Sequence, residues 1–249
     1  MTEPTSPNDI ATAWEPQRPG RLAVRDIRDA IVEPDWGGLR VVVAFTETSA
    51  TVFAHSQEVT VPEELGTALK AAFGALDAVI EGNLTTKALL TGEGAFPKPP
   101  TIERPPILVP RALRQSVKDD PYVRARDHAK TALAAEPAIL AALEEGVPHV
   151  FVATDLLWLD GQPLLDVPLL ERKRLLGTVL AESFLVRVTV FVRPSAVMTL
   201  VTWGALGFSD LSYRSANSRY LPGRENPDWA VGRPPEGPHG PVRPPTPPR

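Results

Sequence analysis

The sequence predicts an α+β domain, and three stretches carry the prediction. In Ile31 to Arg40, Pro34 and the Gly37-Gly38 pair form a tight turn, and the β-branched run Val41 to Phe45 behind it reads as a buried strand. Leu39 to Thr46 and Ala50 to His55 are two apolar runs around a polar turn, the pattern of a hairpin. Pro62 to Leu76 sets Leu65, Leu69, Ala72, Phe73 and Leu76 at helical spacing behind Glu63 and Glu64, so a helix is expected there.

Composition bounds the function. A chain of 249 residues, 43% hydrophobic and 22% charged, is long enough for a sizeable core. The net charge of -4 and the pI near 5.7 give no basic surplus, so any grip on nucleic-acid phosphates needs a local patch. There is no cysteine, which excludes disulfides and thiolate zinc sites. The first twenty residues carry no signal pattern and no apolar run reaches membrane-spanning length, so a cytoplasmic protein without a membrane partner is expected. Prolines mark the edges: residues 1–20 are expected to be a flexible leader, 21–232 one domain, and 233–249, with eight prolines, a disordered polyproline-like tail.

Within the domain, Arg21 to Ala30 reads as a short strand or turn. Thr91 to Val109 is proline-rich and expected to be a long loop. Asp120 to Glu145 is an alanine-rich helical stretch, expected to break at Pro137 and to expose its charges to solvent. Phe184 to Val192 reads as a strand and Ser195 to Leu206 as a helix. His55 has no acidic neighbour in sequence and reads as a surface or pocket-rim residue.

Five blocks in order resemble the signatures of the ATP-dependent DNA ligase and mRNA-capping nucleotidyltransferases. Glu33, Pro34, Trp36, Gly38 and Arg40 match the first, Glu-Pro-Lys-Trp-Asp-Gly-Phe-Arg, but Asp35 stands where that family has its nucleophilic lysine and Gly37 where it has Asp. Glu81-Gly82-Asn83 takes the place of Asp-Gly-Glu at the end of an apolar strand. Val150 to Gly161 is similar to the strand ending in Phe-Asp-Leu-Leu, with Asp155 retained and Thr154 in place of the Phe that packs on adenine. Pro163 to Leu176 resembles the helix opening that follows. Gly207 to Trp229 is similar to the last signatures: Tyr220, Pro222, Gly223, Arg224, Pro227, Asp228 and Trp229 are retained, whereas Glu-Gly becomes Ser209-Asp210, the Lys becomes Arg214, and Lys-x-Lys becomes Val231-Gly232-Arg233.

The resemblance implies two mainly antiparallel sheets with flanking helices around a central cleft. It implies a nucleotide pocket at Glu33, Asp35, Trp36, Gly38, Arg40, Glu81, Asn83, Thr154, Asp155, Arg214 and Arg233, and nucleic-acid contacts at Arg40, Arg219 and Arg224. In the family a lysine amine attacks the ATP α-phosphate. Asp35 has no amine, and a carboxylate about 4 Å from a phosphate oxygen repels it by roughly 1–4 kcal/mol. Asn83 is a poor Mg2+ ligand. The expectation is therefore a non-catalytic ligase-like module that binds nucleic acid, a nucleotide or a protein, with no catalytic residue, no metal and no cofactor. One alternative is an active nucleotidyltransferase using ATP, Mg2+ and a displaced lysine. Against it, none of Lys70, Lys87, Lys98, Lys118, Lys130 and Lys173 is expected in a strand-edge turn beside a signature. The other is a scaffold recruiting a partner protein through the proline-rich tail.

Overall fold

The computed structural model describes residues 6–87 and 121–235. Along the chain the strands are β1 (Arg18–Pro19), β2 (Ala30–Pro34), β3 (Leu39–Thr46), β4 (Ala50–Ala54), β5 (Gln57–Glu58), β6 (Asp77–Thr85), β7 (Val150–Leu159), β8 (Gln162–Pro163), β9 (Val186–Val188), β10 (Leu211–Ser215), β11 (Glu225–Asn226) and β12 (Trp229–Gly232). The helices are α1 (Pro7–Ala13), α2 (Glu63–Ala72), α3 (Pro121–Glu144), α4 (Leu169–Val179) and α5 (Val197–Ala205), with a 3-10 turn at Val24–Asp26.

Two main sheets result, as expected. The larger runs β5-β4-β3-β6-β7-β8, antiparallel throughout, with β9 joining β7 in parallel. The smaller is antiparallel, in the order β12-β10-β2. A short parallel pair, β1 with β11, lies beside them.

The apolar run in β3 does not alternate because both faces of the large sheet are covered. Leu39, Val41, Val43 and Phe45 pack toward α2 and α4 with Leu65, Leu69, Phe151 and Leu176. Val42 and Ala44 face the other way, against Ile10 of α1, Phe53, Val79, Leu157 and Tyr220. Each fully buried side chain of this kind stabilises the fold by about 1.5–3 kcal/mol before its entropy cost. Gly82 lets β6 and β7 close: a Cβ there would stand 2.4 Å from the Phe151 ring and 2.5 Å from the Val152 carbonyl oxygen. The small sheet has its own core, in which Val32, Leu211, Tyr213 and Ala230 meet Leu200 and Trp203 of α5 and Phe208.

Several expectations are corrected. Residues 7–13 are not a flexible leader but a helix capped by Ser6, and Ile10 is wholly buried on the large sheet. The apolar spacing of Ile10, Ala11 and Trp14 was enough to dock it, despite the polar composition around it. Helix α3 is not broken at Pro137 but runs through it from Pro121 to Glu144. Its C-terminal part is held by Leu143, buried in the main core, and by Ile139 and Leu140 packed against that core. Within Phe184 to Val192, only Val186–Val188 is strand. The loop expected at Thr91 to Val109 and the tail beyond residue 235 lie outside the described residues.

Candidate functional site

The β2–β3 turn is the floor of a cleft between the two sheets. The Asp35 N–H donates to the Asp210 carbonyl (3.1 Å), and its carboxylate accepts from the Gly37 N–H (3.0 Å). Gly37 and Gly38 both have positive φ, at 59° and 81°. Trp36 is oriented by two contacts: its indole N–H donates to Thr189 Oγ1 (2.9 Å), and its ring meets Phe208 edge-on at 5.2 Å. The second Asp35 oxygen is bonded to His128 Nε2 from helix α3.

Burial works against charge on both members of that pair, and their mutual interaction outweighs it. Asp35 is held below the ordinary 3.8 by its bond and charge interaction with His128, by the Gly37 N–H and by Lys87. His128 is raised above the ordinary 6.5 by Asp35 and, more weakly, Asp210, with Arg40 opposing. A raised histidine contributes stability fully present below 6.5 and lost as pH rises through its folded value; a depressed carboxylate contributes above 3.8 and loses it as pH falls through its folded value. Both contributions are therefore complete only between 3.8 and 6.5. An NMR titration should find the His128 midpoint above 6.5, and Asp35→Asn should bring it down. An unchanged midpoint in that variant would dissolve the pairing.

Behind the turn lies a buried charge network. Arg172 donates twice to Asp155, from Nε at 2.7 Å and Nη2 at 2.9 Å. Arg214 Nη1 donates to the same carboxylate at 3.1 Å, and its Nε lies 3.5 Å from Glu33. Lys173 Nζ is bonded to Glu33 and to the Thr154 carbonyl. All five side chains are at most 4% exposed. Burial raises the Asp155 pKa, but Arg172, Arg214 and Lys173 together hold it below the usual value. Nearby, Arg40 is paired with Glu81 and donates to the Gln17 carbonyl, and the Tyr220 hydroxyl donates to Glu81 (2.6 Å). The Trp229 ring lies under both Arg40 (5.1 Å) and Arg214 (4.8 Å).

Two cavities open along the cleft. One, of about 430 Å3, is lined by Glu33, Asp35, Trp36, Arg40, Glu81, Asn83, Thr154 and Arg214, all expected nucleotide-pocket residues, and by Ser212 and Trp229. The other, of about 550 Å3, is lined by Gly38 and Arg233, with Asp35, Arg124, His128 and Asp210. Asp155 lines neither and is fully buried behind them. Of the expected nucleic-acid contacts, Arg219 and Arg224 are exposed, whereas Arg40 is committed to Glu81 and Gln17. His55 sits on the rim, 2.9 Å from Glu136 of α3.

Arg126, Asp127 and Lys130 of α3 are exposed, as expected, but three other polar residues turn inward: Arg124 meets Asp210 at 3.6 Å, His128 meets Asp35, and Glu136 meets His55. Sequence reading missed them because His128 and Asp35 are 93 positions apart. Lys87 is a second correction. It stands two residues past the end of β6 and four past Asn83, with its N–H donating to Thr85 Oγ1 (3.1 Å). Its Nζ lies 3.3 Å from where a Gly37 Cβ would be and 5.6 Å from the Phe208 ring centroid. A lysine thus does reach the neighbourhood of Trp36. Among the described residues no cluster of carboxylates and histidines has the form of a metal site, and no helix is long and apolar enough to cross a membrane.

This arrangement, two sheets about a cleft floored by the β2–β3 turn, is the nucleotidyltransferase fold of ATP-dependent DNA ligase adenylation domains. The chain superimposes on the ligase domain of LigD from M. tuberculosis with a TM-score of 0.55 and 17% identity, over 89% of this chain and 60% of that one. A mycobacterial DNA ligase D complexed with ATP and MES gives a TM-score of 0.55 and 16% identity, with the same coverage. At these identities the likeness is one of fold, and the chain spans about 60% of the length of these neighbours. No family model matches the chain, and no curated protein does.

Proposed function

We propose that this chain is a ligase-fold domain that binds nucleic acid or a nucleotide through its cleft face without transferring adenylate. The observation that carries the reading is the state of Asp35. At the position of the family's attacking amine there is a carboxylate, tied to His128 and the Gly37 N–H. It lacks a nucleophilic nitrogen, and its charge opposes an approaching phosphate. The commitment of Arg40, Arg172, Lys173 and Arg214 to internal carboxylates supports the same reading, because these cations are spent on the fold rather than on a transferring phosphoryl group.

Two assays test it. Nicked and intact duplex titrated at two salt concentrations should show salt-sensitive binding, and Arg219→Ala with Arg224→Ala should reduce the salt slope by about 2. Absence of binding to duplex and to ATP alike would end the reading. Incubation with α-labelled ATP and Mg2+ should leave no label on the protein.

A specific observation favours one second reading, adenylation on a displaced lysine: the nearness of Lys87 to Gly37 and Phe208. It predicts a covalent AMP label that disappears in Lys87→Ala and survives in Lys130→Ala. Lys173 is excluded as that nucleophile by its burial, 1% exposed between Glu33 and Thr154.

A further inference from the structure

Helix α3 brings one titratable side chain to the centre of the cleft. His128 lines both cavities, and so does its partner Asp35. The two side chains are 25% and 22% exposed, so a ligand in either cavity can reach them. The ring is bonded to Asp35 through Nε2, and Nδ1 has no hydrogen-bond partner among the described residues. An imidazolium carries a donor on each nitrogen, a neutral imidazole on one only. Protonated, His128 therefore cancels the Asp35 charge and still has Nδ1–H to offer. Neutral, it leaves the charge of that carboxylate on the cleft floor.

The surrounding charges make that one proton count. In the second cavity the carboxylates are Asp35, Asp127 and Asp210, and the cations are Arg124, Arg233 and His128. Arg124 meets Asp210 at 3.6 Å, and Asp127 meets Arg126 at 3.5 Å on the surface. The lining is balanced, three against three, while His128 is protonated, and one charge negative when it is not. Of the other groups that act on the pair, Arg40 is already joined to Glu81, and Lys87 adds positive charge near Asp35. Histidine is the side chain among all of these that ordinarily exchanges a proton near neutrality. His55, the other histidine on the first cavity, is paired with Glu136 at the rim.

We propose that His128 is a specificity-determining residue of the cleft: as an imidazolium it cancels Asp35 and donates Nδ1–H to a phosphodiester, and as a neutral ring it turns that group away. The ligand comes from the nucleic-acid reading, on which this inference rests, and one phosphodiester can be carried by a strand or by a free dinucleotide. Solvent reaches both side chains and screens them, which holds the effect to about tenfold between the two states of the ring. Asp35 and, more weakly, Asp210 raise the His128 midpoint above 6.5 while Arg40 opposes them, so binding is lost as pH rises through that raised midpoint.

The test titrates the full chain with nicked duplex and, separately, with a dinucleotide bearing one phosphodiester, at constant ionic strength and between about pH 6 and pH 8.5, where histidine changes charge and a phosphodiester does not. Affinity should fall about tenfold as pH rises through the His128 midpoint, and saturating probe should raise that midpoint by about one pH unit, because the coupling is reciprocal. His128→Gln should bind at every pH about as weakly as the parent does at the alkaline end. Asp35→Asn should bind at the alkaline end about as tightly as the parent does at the acid end. If affinity is flat with pH and the parent's midpoint does not move on binding, or if the pH dependence survives in His128→Gln, His128 does not select the ligand, and the nucleic-acid reading stands. If neither probe binds at any pH, the inference falls together with that reading. A pH-dependent response to duplex alone assigns the phosphate to a strand, and a response to both probes shows that one phosphodiester is enough.

Discussion

Asp155→Asn is expected to destabilise the fold by about 3–5 kcal/mol, because it leaves Arg172 and Arg214 buried without the countercharge they share. Arg172 is fully buried and Arg214 is 4% exposed, so neither guanidinium can recover hydration by turning outward. The amide keeps the shape and some hydrogen bonding, which separates loss of charge from loss of volume. For a domain of this size the thermal midpoint should fall by on the order of 10 °C. The contrast is Glu171→Gln, whose partner Arg174 lies three residues along the same helix with both side chains well exposed; its midpoint should not move. Equal midpoints for Asp155→Asn and the parent protein would show that the network carries no stability.

Gly38→Ala should have an effect of similar size for a different reason. A Cβ at Gly38 would stand 2.1 Å from the Leu84 carbonyl oxygen, and φ is 81°, a conformation that L side chains rarely adopt. The obstacle is backbone of the central strand β6, which cannot step aside as a side-chain tip would. Strain and overpacking together predict a loss of about 2–5 kcal/mol, with Asp35 and Trp36 displaced from their partners. Denaturant unfolding gives the loss, and the Trp36 indole N–H resonance, which reports its bond to Thr189, gives the displacement. Gly177→Ala, in a helix and with open space around the added methyl group, is the control and should unfold at the same denaturant concentration or higher. If Gly38→Ala matches it, the turn does not need its glycine.

How legible the molecule was depended on range. The hairpin of β3 and β4 follows from two apolar runs around a polar turn and the helix at α2 from a 3.6 period, both within short windows, while the placement of Glu81 and Asn83 on one strand follows from the resemblance to the family's Asp-Gly-Glu signature. Helix α1 was hidden because a seven-residue helix in polar company is made by the surface it docks on, here Val42, Ala44 and Val79. Lys87 was passed over because two residues beyond a strand says nothing about direction, and only the pairing of β6 with β3 turns it toward Gly37.

The chain by itself determined the apolar frame, the two glycines of the β2–β3 turn and the carboxylate that Asp35 places beside them, since these are matters of residue type and local spacing. Tertiary structure decided what that carboxylate meets, which arginines are spent on buried carboxylates, and which polar residues of α3 turn onto the cleft rather than to solvent. Those contacts join residues separated by 17 to 181 positions (Arg172–Asp155 to Arg214–Glu33), and such pairings are set by how whole sheets and helices pack.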